Sequence, residues 1–300
     1  MKRTMSIVFG MLVLNSAIAL ADSVVPVDVS FQNWNIKGNF DYTLHYINSS
    51  QVLSKISMPQ NQNMSILTTK VKTNDESYIN IRYGSTAFEN KGAGSDSDWQ
   101  NPGSSTITDY GTMNFNGKQK MYSIDFGTKV LEDERNNTSI FIGWGENTTD
   151  NALTNVIYHL ESGINVGNVP QSDNGSYLNG TFSGLRLGAE TRYKINEKLT
   201  LNGGLTTSFL TAKANGHWGN HSPAWDWTDS GDTFGYNMNI GLKYVFTRNT
   251  LAEIGYYYSY AKMTNGSETL NYNNGISDKF SGIGLEYKQR GYYFGLNAKL

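Results

Sequence analysis

The sequence contains no cysteine and only four histidines among its 300 residues. The lack of cysteine excludes a disulfide framework, a thiolate zinc site and a cysteine nucleophile. A multi-histidine metal centre would need most of the histidines, so we predict no metal site. Lysine and arginine number 24 against 26 aspartates and glutamates, a net charge of −2. This balance lacks the concentrated basic excess of nucleic-acid-binding proteins, and no nucleic-acid partner is expected.

Proline is also scarce, with five residues, and charged residues make up only 17% of the chain. Glycine, by contrast, occurs 31 times and tyrosine 19 times. This composition favours strands and turns over helices. Mean hydropathy is −0.46, and no long apolar run follows residue 21. The sequence therefore argues against a protein built from transmembrane helices.

The N-terminus has the pattern of an export signal. A positive start is followed by an apolar run at residues 7–14 and a small-x-small cleavage pattern at residues 19–21. The apolar run is shorter than the ~18–20 residues that a membrane-spanning helix needs. We predict a signal peptide over residues 1–21 and a single outer-membrane β-barrel over residues 22–300.

Apolar and polar residues alternate over long stretches of the mature chain. Between residues 234 and 246, seven apolar or aromatic residues alternate with mostly glycine, asparagine and lysine. The same period of two recurs over residues 39–46, 122–130, 185–193 and 291–300. This period is typical of β-strands. The second face carries charges and glycines, as the lumen face of a membrane barrel does.

We predict an all-β fold, an antiparallel up-and-down transmembrane β-barrel of ten strands that extend beyond the membrane. The strands are predicted at residues 30–47, 60–73, 77–89, 117–131, 138–149, 181–195, 199–213, 233–247, 250–264 and 284–300. Long polar loops are predicted near residues 89–117, 146–180, 215–232 and 265–283. Because the strands exceed the ~9–11 residues that cross a bilayer, we expect a cleft at the outer mouth. A secreted soluble β-sandwich is the alternative, since its strands also alternate.

An acidic pair follows the third predicted strand, in the run Ser95-Asp96-Ser97-Asp98-Trp99. In an extended segment the two carboxylates lie on the same face, about 6–7 Å apart. Such a pair can hold a water, bind a cation or share a proton, and one pKa is expected to rise. A solvated turn is the alternative, because aspartate and serine are common there.

The Asp-x-Asp-Trp motif at this place in an exported barrel resembles the omptin family of outer-membrane proteases. Ser-Lys-Ile at residues 54–56 stands in the place of the family's Ser-x-Leu segment, and Asn-Pro-Gly at residues 101–103 matches the family's Asn-Pro-Gly. Gly-Leu-Glu-Tyr at residues 284–287 leads into the last strand, in a final hairpin of nearly the family's length. The resemblance covers essentially the whole mature chain at low identity. It implies an aspartic-type endopeptidase at the cell surface.

In omptins a histidine paired with an aspartate activates a water, which a facing aspartate pair helps to position. The resemblance assigns Asp96 and Asp98 to that facing pair. For the histidine it offers two matches, His217 and His221, of which His217 is the better because an aromatic residue follows it.

Neither match has the family's aspartate two residues earlier. Asn215 and Gly219 stand in those places. Without that carboxylate, orientation of the imidazole and stabilisation of its charged form are lost, and in a serine-protease triad such a loss costs about 10⁴ in rate. Asp226, Asp229 or Asp232, later in the same segment, could supply it.

The resemblance also implies cleavage near basic residues, read by acidic groups inside the barrel mouth. Asp41 falls near the family's acidic position and is expected to point into the lumen as a substrate-binding residue, or else to pair there with a cation. No cofactor is predicted, although the resemblance implies a requirement for lipopolysaccharide. The expected partners are outer-membrane lipid and peptide or protein substrates. We expect a monomer in the cell outer membrane, with the active-site loops facing the exterior.

Two other functions remain open from the sequence. A catalytically inactive barrel of this family could act in surface binding or adhesion. A passive pore is less consistent with the sequence, because small barrels fill their interior with side chains. The lumen-face charges that suggest a paired interior network are Asp125, Lys129, Arg186, Glu190 and Arg192.

Overall fold

A computed structural model of the protein describes residues 26–46, 51–88, 93–101, 104–172, 175–219, 224–272 and 275–300. The predicted signal peptide lies outside these residues. The strands are β1 (Val27–His45), β2 (Val52–Pro59), β3 (Gln62–Lys72), β4 (Ser77–Phe88), β5 (Ala93–Trp99), β6 (Ile107–Glu132), β7 (Asn136–Glu161), β8 (Ile164–Pro170), β9 (Tyr177–Lys194), β10 (Leu199–Trp218), β11 (Trp225–Val245), β12 (Thr250–Tyr272) and β13 (Ser277–Lys299). Over the described ranges, no helix is long and apolar enough to cross a membrane.

Ten of these strands close into an antiparallel ring in the order β1-β3-β4-β6-β7-β9-β10-β11-β12-β13. Pairing of β1 with β13, from Asp28 opposite Lys299 to Leu44 opposite Ile283, closes the ring. The predicted all-β barrel of ten strands is therefore confirmed. The other strands lie at one end, which we call the extended end. There β2 continues β3 beside β1, β5 continues β4 beside β6, and β8 pairs with the tip of β7.

The described parts of the four predicted polar loops are mostly strand, so that prediction was wrong. Strands β6 and β7 have 26 residues each and run through two of these segments. At the extended end the apolar residues lie on the inner face and the outer face is polar, and bulges interrupt the strands, so the alternation of the membrane part does not continue there. Backbone hydrogen bonds between neighbouring strands do not depend on that alternation. The ladder therefore continues where the hydropathy pattern stops.

An exposed apolar band surrounds the ring on its outer face. Members of this band include Phe31, Ile81, Phe126, Ile142, Leu187, Phe209, Phe234, Ile240, Ile254 and Phe294. Turns of three or four residues connect the strands on one side of the band, which we call the short-turn end. Such a band is typical of barrels that face lipid.

The lumen at the level of the band is polar and charged, in agreement with the predicted interior network. Arg186 lies 3.7 Å from Asp125, and Lys70 reaches across the lumen to Glu190 at 3.1 Å. Lys129 belongs outside this network, because it pairs with Glu132 next to a turn. The predicted interior pairing therefore holds for most of its members.

Amide side chains form a layer across the lumen beyond these charges. Gln119 of β6 donates to the Tyr287 hydroxyl of β13 at 2.8 Å and also bonds Gln62 of β3 and Gln289 of β13. Gln60 donates to Asn151 at 3.1 Å in the same region. Since β6 and β13 are separated by three strands of the ring, these bonds cross the lumen and close it.

Replacing Gln119 with alanine is expected to destabilise the barrel by about 1–3 kcal/mol, because several buried amide and hydroxyl groups would lose their partner. The free energy of unfolding from a urea titration measures this. Lys120→Ala, at the exposed neighbouring position on the outer face, is the matched control and should change little. Equal effects of the two substitutions would argue against a closed amide layer.

An apolar cluster fills the interior at the extended end. Phe40 of β1 and Phe182 of β9 meet edge to face, with ring centroids 6.1 Å apart. These two strands lie opposite each other in the ring, so the contact spans its full width. Phe182 also contacts Tyr287 of β13, and the Phe40 ring lies against Gly180, where a Cβ would come within 2.5 Å of it. The barrel mouth is therefore narrowed by aromatic contacts between its opposite walls.

Candidate active site at the barrel mouth

Asp96 and Asp98 lie on β5, a strand within a segment that the sequence had assigned to a polar loop. Asp96 is opposite Ile56 and Asp98 is opposite Ser54 on β2. Ile56 is buried in the apolar cluster, so this face of the sheet points inward. Both carboxylates therefore share the inner face at the extended end, outside the apolar band. The shared face that was expected for an extended segment is therefore observed.

The surroundings raise the pKa of both carboxyls. For Asp96 the largest cause is burial, followed by repulsion from Asp98. For Asp98 burial also dominates, Asp109 raises the pKa further, and hydrogen bonding with Ser54 opposes the shift. Among the described residues, Oδ1 of Asp96 is buried without a hydrogen-bond partner. The pair can thus share a proton, which is a property that acid–base chemistry uses.

His217 lies near the end of β10, on the outer face of the barrel wall, whereas the acid pair lies on the inner face. Its neighbour Gly216 is covered by the buried ring of Trp227, which marks the inner face. The imidazole stacks on Tyr177 of β9, with ring centroids 5.8 Å apart, while the next residue of β9, Leu178, is fully buried. Strand alternation therefore directs His217 outward, away from Asp96 and Asp98. The structure does not bring the predicted histidine and the acid pair together.

Asp226 is the carboxylate partner that the sequence left open. It stands directly opposite His217 on β11, and its Oδ1 lies 2.7 Å from Nδ1 of the imidazole. Asp229 and Asp232 do not make this contact. A carboxylate at Nδ1 fixes the orientation of the ring and leaves Nε2 as the free nitrogen. The result is a His–Asp dyad on the outer surface of the barrel.

The inner face of β10 at the mouth carries no group that could replace the imidazole. Its inward positions are Ala212, Ala214, Gly216 and Trp218. The second predicted histidine, His221, lies outside the described residues. Over the described part of β10, the wall that carries His217 therefore presents only apolar side chains and glycine to the lumen at the mouth.

Asp41 also lies on the outer face, so its predicted inward position was wrong. Its neighbours Phe40 and Tyr42 fill the interior, and alternation turns Asp41 the other way. The carboxylate accepts a hydrogen bond from Ser57 at 2.6 Å and pairs with Lys55 at 3.5 Å. The partners of Asp41 are therefore residues of the neighbouring strand β2 and not cations of the lumen.

A second acid pair occupies the inner wall, and the sequence did not indicate it. Asp229 of β11 stands directly opposite Glu268 of β12, and both are buried. The Tyr42 hydroxyl of β1 donates to Glu268 at 2.5 Å. Burial and the neighbouring Glu268 raise the pKa of Asp229 to about 9. The mouth thus contains two acid pairs, one on each side of Tyr42. Burial, the second pair and Asp96 raise the pKa of the Tyr42 hydroxyl.

No family model matches the sequence, and no curated protein matches it either. Among solved structures, the chain is similar to the outer-membrane protease OmpT from Escherichia coli, with a TM-score of 0.82 and 14% sequence identity. This match covers 92% of the chain and 97% of OmpT. The translocator domain of the autotransporter NalP from Neisseria meningitidis matches with a TM-score of only 0.40 and 10% identity, over 100% of this chain and 97% of that one. The ten-stranded ring, the exposed apolar band and the likeness to OmpT together show that this chain has the fold of the omptin outer-membrane barrels.

Proposed function

We propose that this protein is an outer-membrane barrel of the omptin fold that acts in surface binding or adhesion and does not cleave peptides. The observation that carries the proposal is the separation of the expected catalytic groups. Asp96 and Asp98 face the interior, whereas His217 and Asp226 face outward. A general base must come within hydrogen-bond reach of the water it activates, directly or through one water. A dyad on the far side of the wall does not meet that requirement.

The closed mouth supports the same proposal. A peptide substrate would have to enter between walls that Phe40 and Phe182 already join. Surface binding needs no such entry, because the extended end offers a long outer wall. Strands of 26 residues are more than twice the ~9–11 residues that cross a bilayer, so much of their length stands in the extracellular space in the proposed orientation.

A second candidate is an endopeptidase that uses the acid pair alone. The observation that favours it is the raised pKa of both Asp96 and Asp98, with Ser54 hydrogen-bonded to the latter. Two carboxyls that share a proton can activate a water without a histidine. In this case the barrel mouth would have to open for a peptide. The resemblance to omptins implies that cleavage would then occur near basic residues.

One assay separates these functions. The refolded barrel is incubated with lipopolysaccharide and a panel of fluorogenic peptides that includes dibasic sequences, beside Asp98→Ala and His217→Ala. We expect no turnover by any of the three proteins. Turnover that is lost in Asp98→Ala and kept in His217→Ala would establish the acid-pair peptidase. Turnover lost in both variants would contradict the proposal and restore a role for the histidine.

The binding half of the proposal has its own test. Cells that display the full barrel are compared with cells that display a barrel shortened by the β7–β8 tip, at equal surface levels. We expect the full barrel to increase adhesion to immobilised extracellular proteins, and the shortened barrel to lose much of this gain because contact area is removed. Equal adhesion by these cells and by cells without the barrel would contradict a role in binding.

A further inference from the structure

The barrel encloses a cavity of about 360 Å³ on the short-turn side of the amide layer. At the rim of this cavity, Asp28 of β1 stands opposite Lys299 of β13, so their charges cancel. The cavity reaches this rim, whereas the amide layer and the apolar cluster close the other side. In the orientation proposed above, the open side faces the periplasm.

The deeper lining of the cavity carries an excess of positive charge. Its cations are Lys70, Arg82, Arg186, Arg192 and Lys243. Its inward carboxylates are Asp125, Glu190 and Glu253. Glu146, the remaining acid at the cavity edge, lies within hydrogen-bond distance of the exposed Tyr122 on the outer face. The interior therefore has two more cations than carboxylates.

Each carboxylate already has a cationic partner. Glu190 pairs with Lys70 at 3.1 Å, Asp125 with Arg186 at 3.7 Å and Glu253 with Lys243 at 3.4 Å. Glu253 also accepts hydrogen bonds from Asn202 and Tyr293. These acids have little capacity left for a second cation.

Two arginines remain without an acidic partner. In the described part of the chain, no carboxylate lies within 4 Å of Arg82 or Arg192, and Nε of Arg82 is buried without a hydrogen-bond partner. Nε of Arg186, on a side chain nine-tenths buried, is also unpartnered. Arg82 and Arg192 line the same cavity, and both guanidinium groups act electrostatically on Glu190, so they lie in one neighbourhood of the lumen.

Such an excess is costly in a confined lumen. Arginine does not lose its proton in proteins, so the charge cannot be removed by titration. Uncompensated charge away from bulk water is strongly unfavourable, and unpartnered donors add their own desolvation cost. An anion in the cavity would relieve both costs. The planar fork of a guanidinium donates two parallel hydrogen bonds to the oxygens of an oxyanion. A spherical anion such as chloride cannot accept them in this way.

We propose that this cavity binds one small oxyanion between Arg82 and Arg192, with entry from the short-turn end. Phosphate and small carboxylates have the required charge and acceptor oxygens. The site is separate from both acid pairs at the mouth, and the amide layer lies between them. It is independent of whether the mouth binds or cleaves peptides.

Isothermal titration calorimetry with inorganic phosphate tests this proposal. The barrel is refolded in a maltoside detergent, which carries no phosphate, and is titrated at constant ionic strength. We expect saturable binding with one phosphate per barrel, and at least tenfold weaker binding by Arg82→Gln and by Arg192→Gln. Arg192→Lys keeps the charge but not the planar fork, and its affinity for phosphate should lie between those of the wild type and Arg192→Gln. Arg248→Gln, in an exposed turn at the same end, is the matched control and should bind as the wild type does.

Folding of each variant is checked by the faster migration of the unheated barrel in detergent gels. If a variant does not fold, titration of the wild type alone tests whether the cavity binds phosphate. Absence of saturable phosphate binding by the wild type would overturn the proposal. It would also be overturned by equal affinities for phosphate and chloride, since these would indicate a diffuse counterion. Succinate distinguishes a preference for phosphate from a general preference for oxyanions, and binding of either supports the site.

Discussion

Asp229→Asn is expected to stabilise the folded barrel, and to do so more strongly at pH 8 than at pH 5. Asp229 is buried against Glu268, with Tyr42 and Trp227 beside the pair. Its pKa in the folded protein is raised to about 9, whereas an unfolded chain releases this proton near its ordinary value of 3.8. Asparagine has nearly the same shape and carries no charge. The variant therefore avoids the free-energy cost of burying a carboxyl group that must either be charged or take up a proton.

The sign of the pH dependence follows from linkage. Between about pH 4 and pH 9 the unfolded state has lost the proton that the folded state keeps. Stability therefore falls as the pH rises through this window, by up to about 1.4 kcal/mol per unit. Because Asp229 and Glu268 titrate as a pair, we expect a gain from Asp229→Asn on the order of 2–4 kcal/mol at pH 8 and a smaller one at pH 5.

Urea unfolding of the wild type and the variant at both pH values measures this gain. Asp232→Asn, at an exposed position of the same strand, is the control and should change stability little at either pH. A destabilising effect of Asp229→Asn at pH 8 would show that the carboxylate is charged and has a partner, such as a bound cation. That outcome would contradict the raised pKa of Asp229, which implies that its carboxyl is protonated at pH 8.

Phe40→Ala is expected to destabilise the barrel by about 3–5 kcal/mol, the range for removal of a large aromatic side chain from a packed core. Phe40 is fully buried, meets Phe182 across the barrel and lies against Gly180. Its removal would leave a gap at the centre of the mouth. The surrounding strands cannot collapse into that gap, since the ring of hydrogen bonds fixes their separation.

The free energy of unfolding measures this effect, with the neighbouring exposed Asn39→Ala as the control, expected within about 0.5 kcal/mol of the wild type. A loss below about 1 kcal/mol for Phe40→Ala would indicate that the opposite walls are not in contact. In that case an open cleft would again be available to a peptide. The same variant therefore also bears on the choice between binding and cleavage.

The membrane part of the fold could be predicted because its physical signal is local. Lipid on one side and a polar lumen on the other impose strict alternation, and residues 122–130, 185–193, 234–246 and 291–300 show it. The strand extensions could not be predicted in this way, because their apolar residues lie on the inner face and bulges interrupt the alternation. β2, β5 and β8 lie in those extensions, and all three were missed.

The direction of His217 could have been predicted from the same alternation. Phe209 belongs to the apolar band, and steps of two along β10 lead from Phe209 to His217. The resemblance to omptins placed this histidine in the site from its aromatic neighbour and its distance to the next predicted strand. Strand register is a stricter constraint than a local motif, because a shift of one residue moves a side chain to the other face.

Glu268 is a residue whose face cannot be predicted from alternation along the strand. Alternation from the exposed Lys262 on β12 would place Glu268 on the outer face. A bulge between the two, with Asn265 at a φ of +65°, shifts the register and turns Glu268 inward to meet Asp229. In the sequence the pair Asn265-Gly266 indicates a turn, and only the pairing of β12 with β11 shows that the strand continues through it.

The sequence by itself thus determined the class of fold, the number of strands in the ring and the spacing by which Asp96 and Asp98 share a face once their segment is extended. These properties follow from periodicity and spacing along one strand, which are local. Only the tertiary structure decided which groups meet across the barrel: His217 with Asp226 on the outside, Asp229 with Glu268 on the inside, and Phe40 with Phe182 between opposite walls. These contacts depend on register, bulges and the closure of the ring, where residues far apart in the chain are brought to the same place.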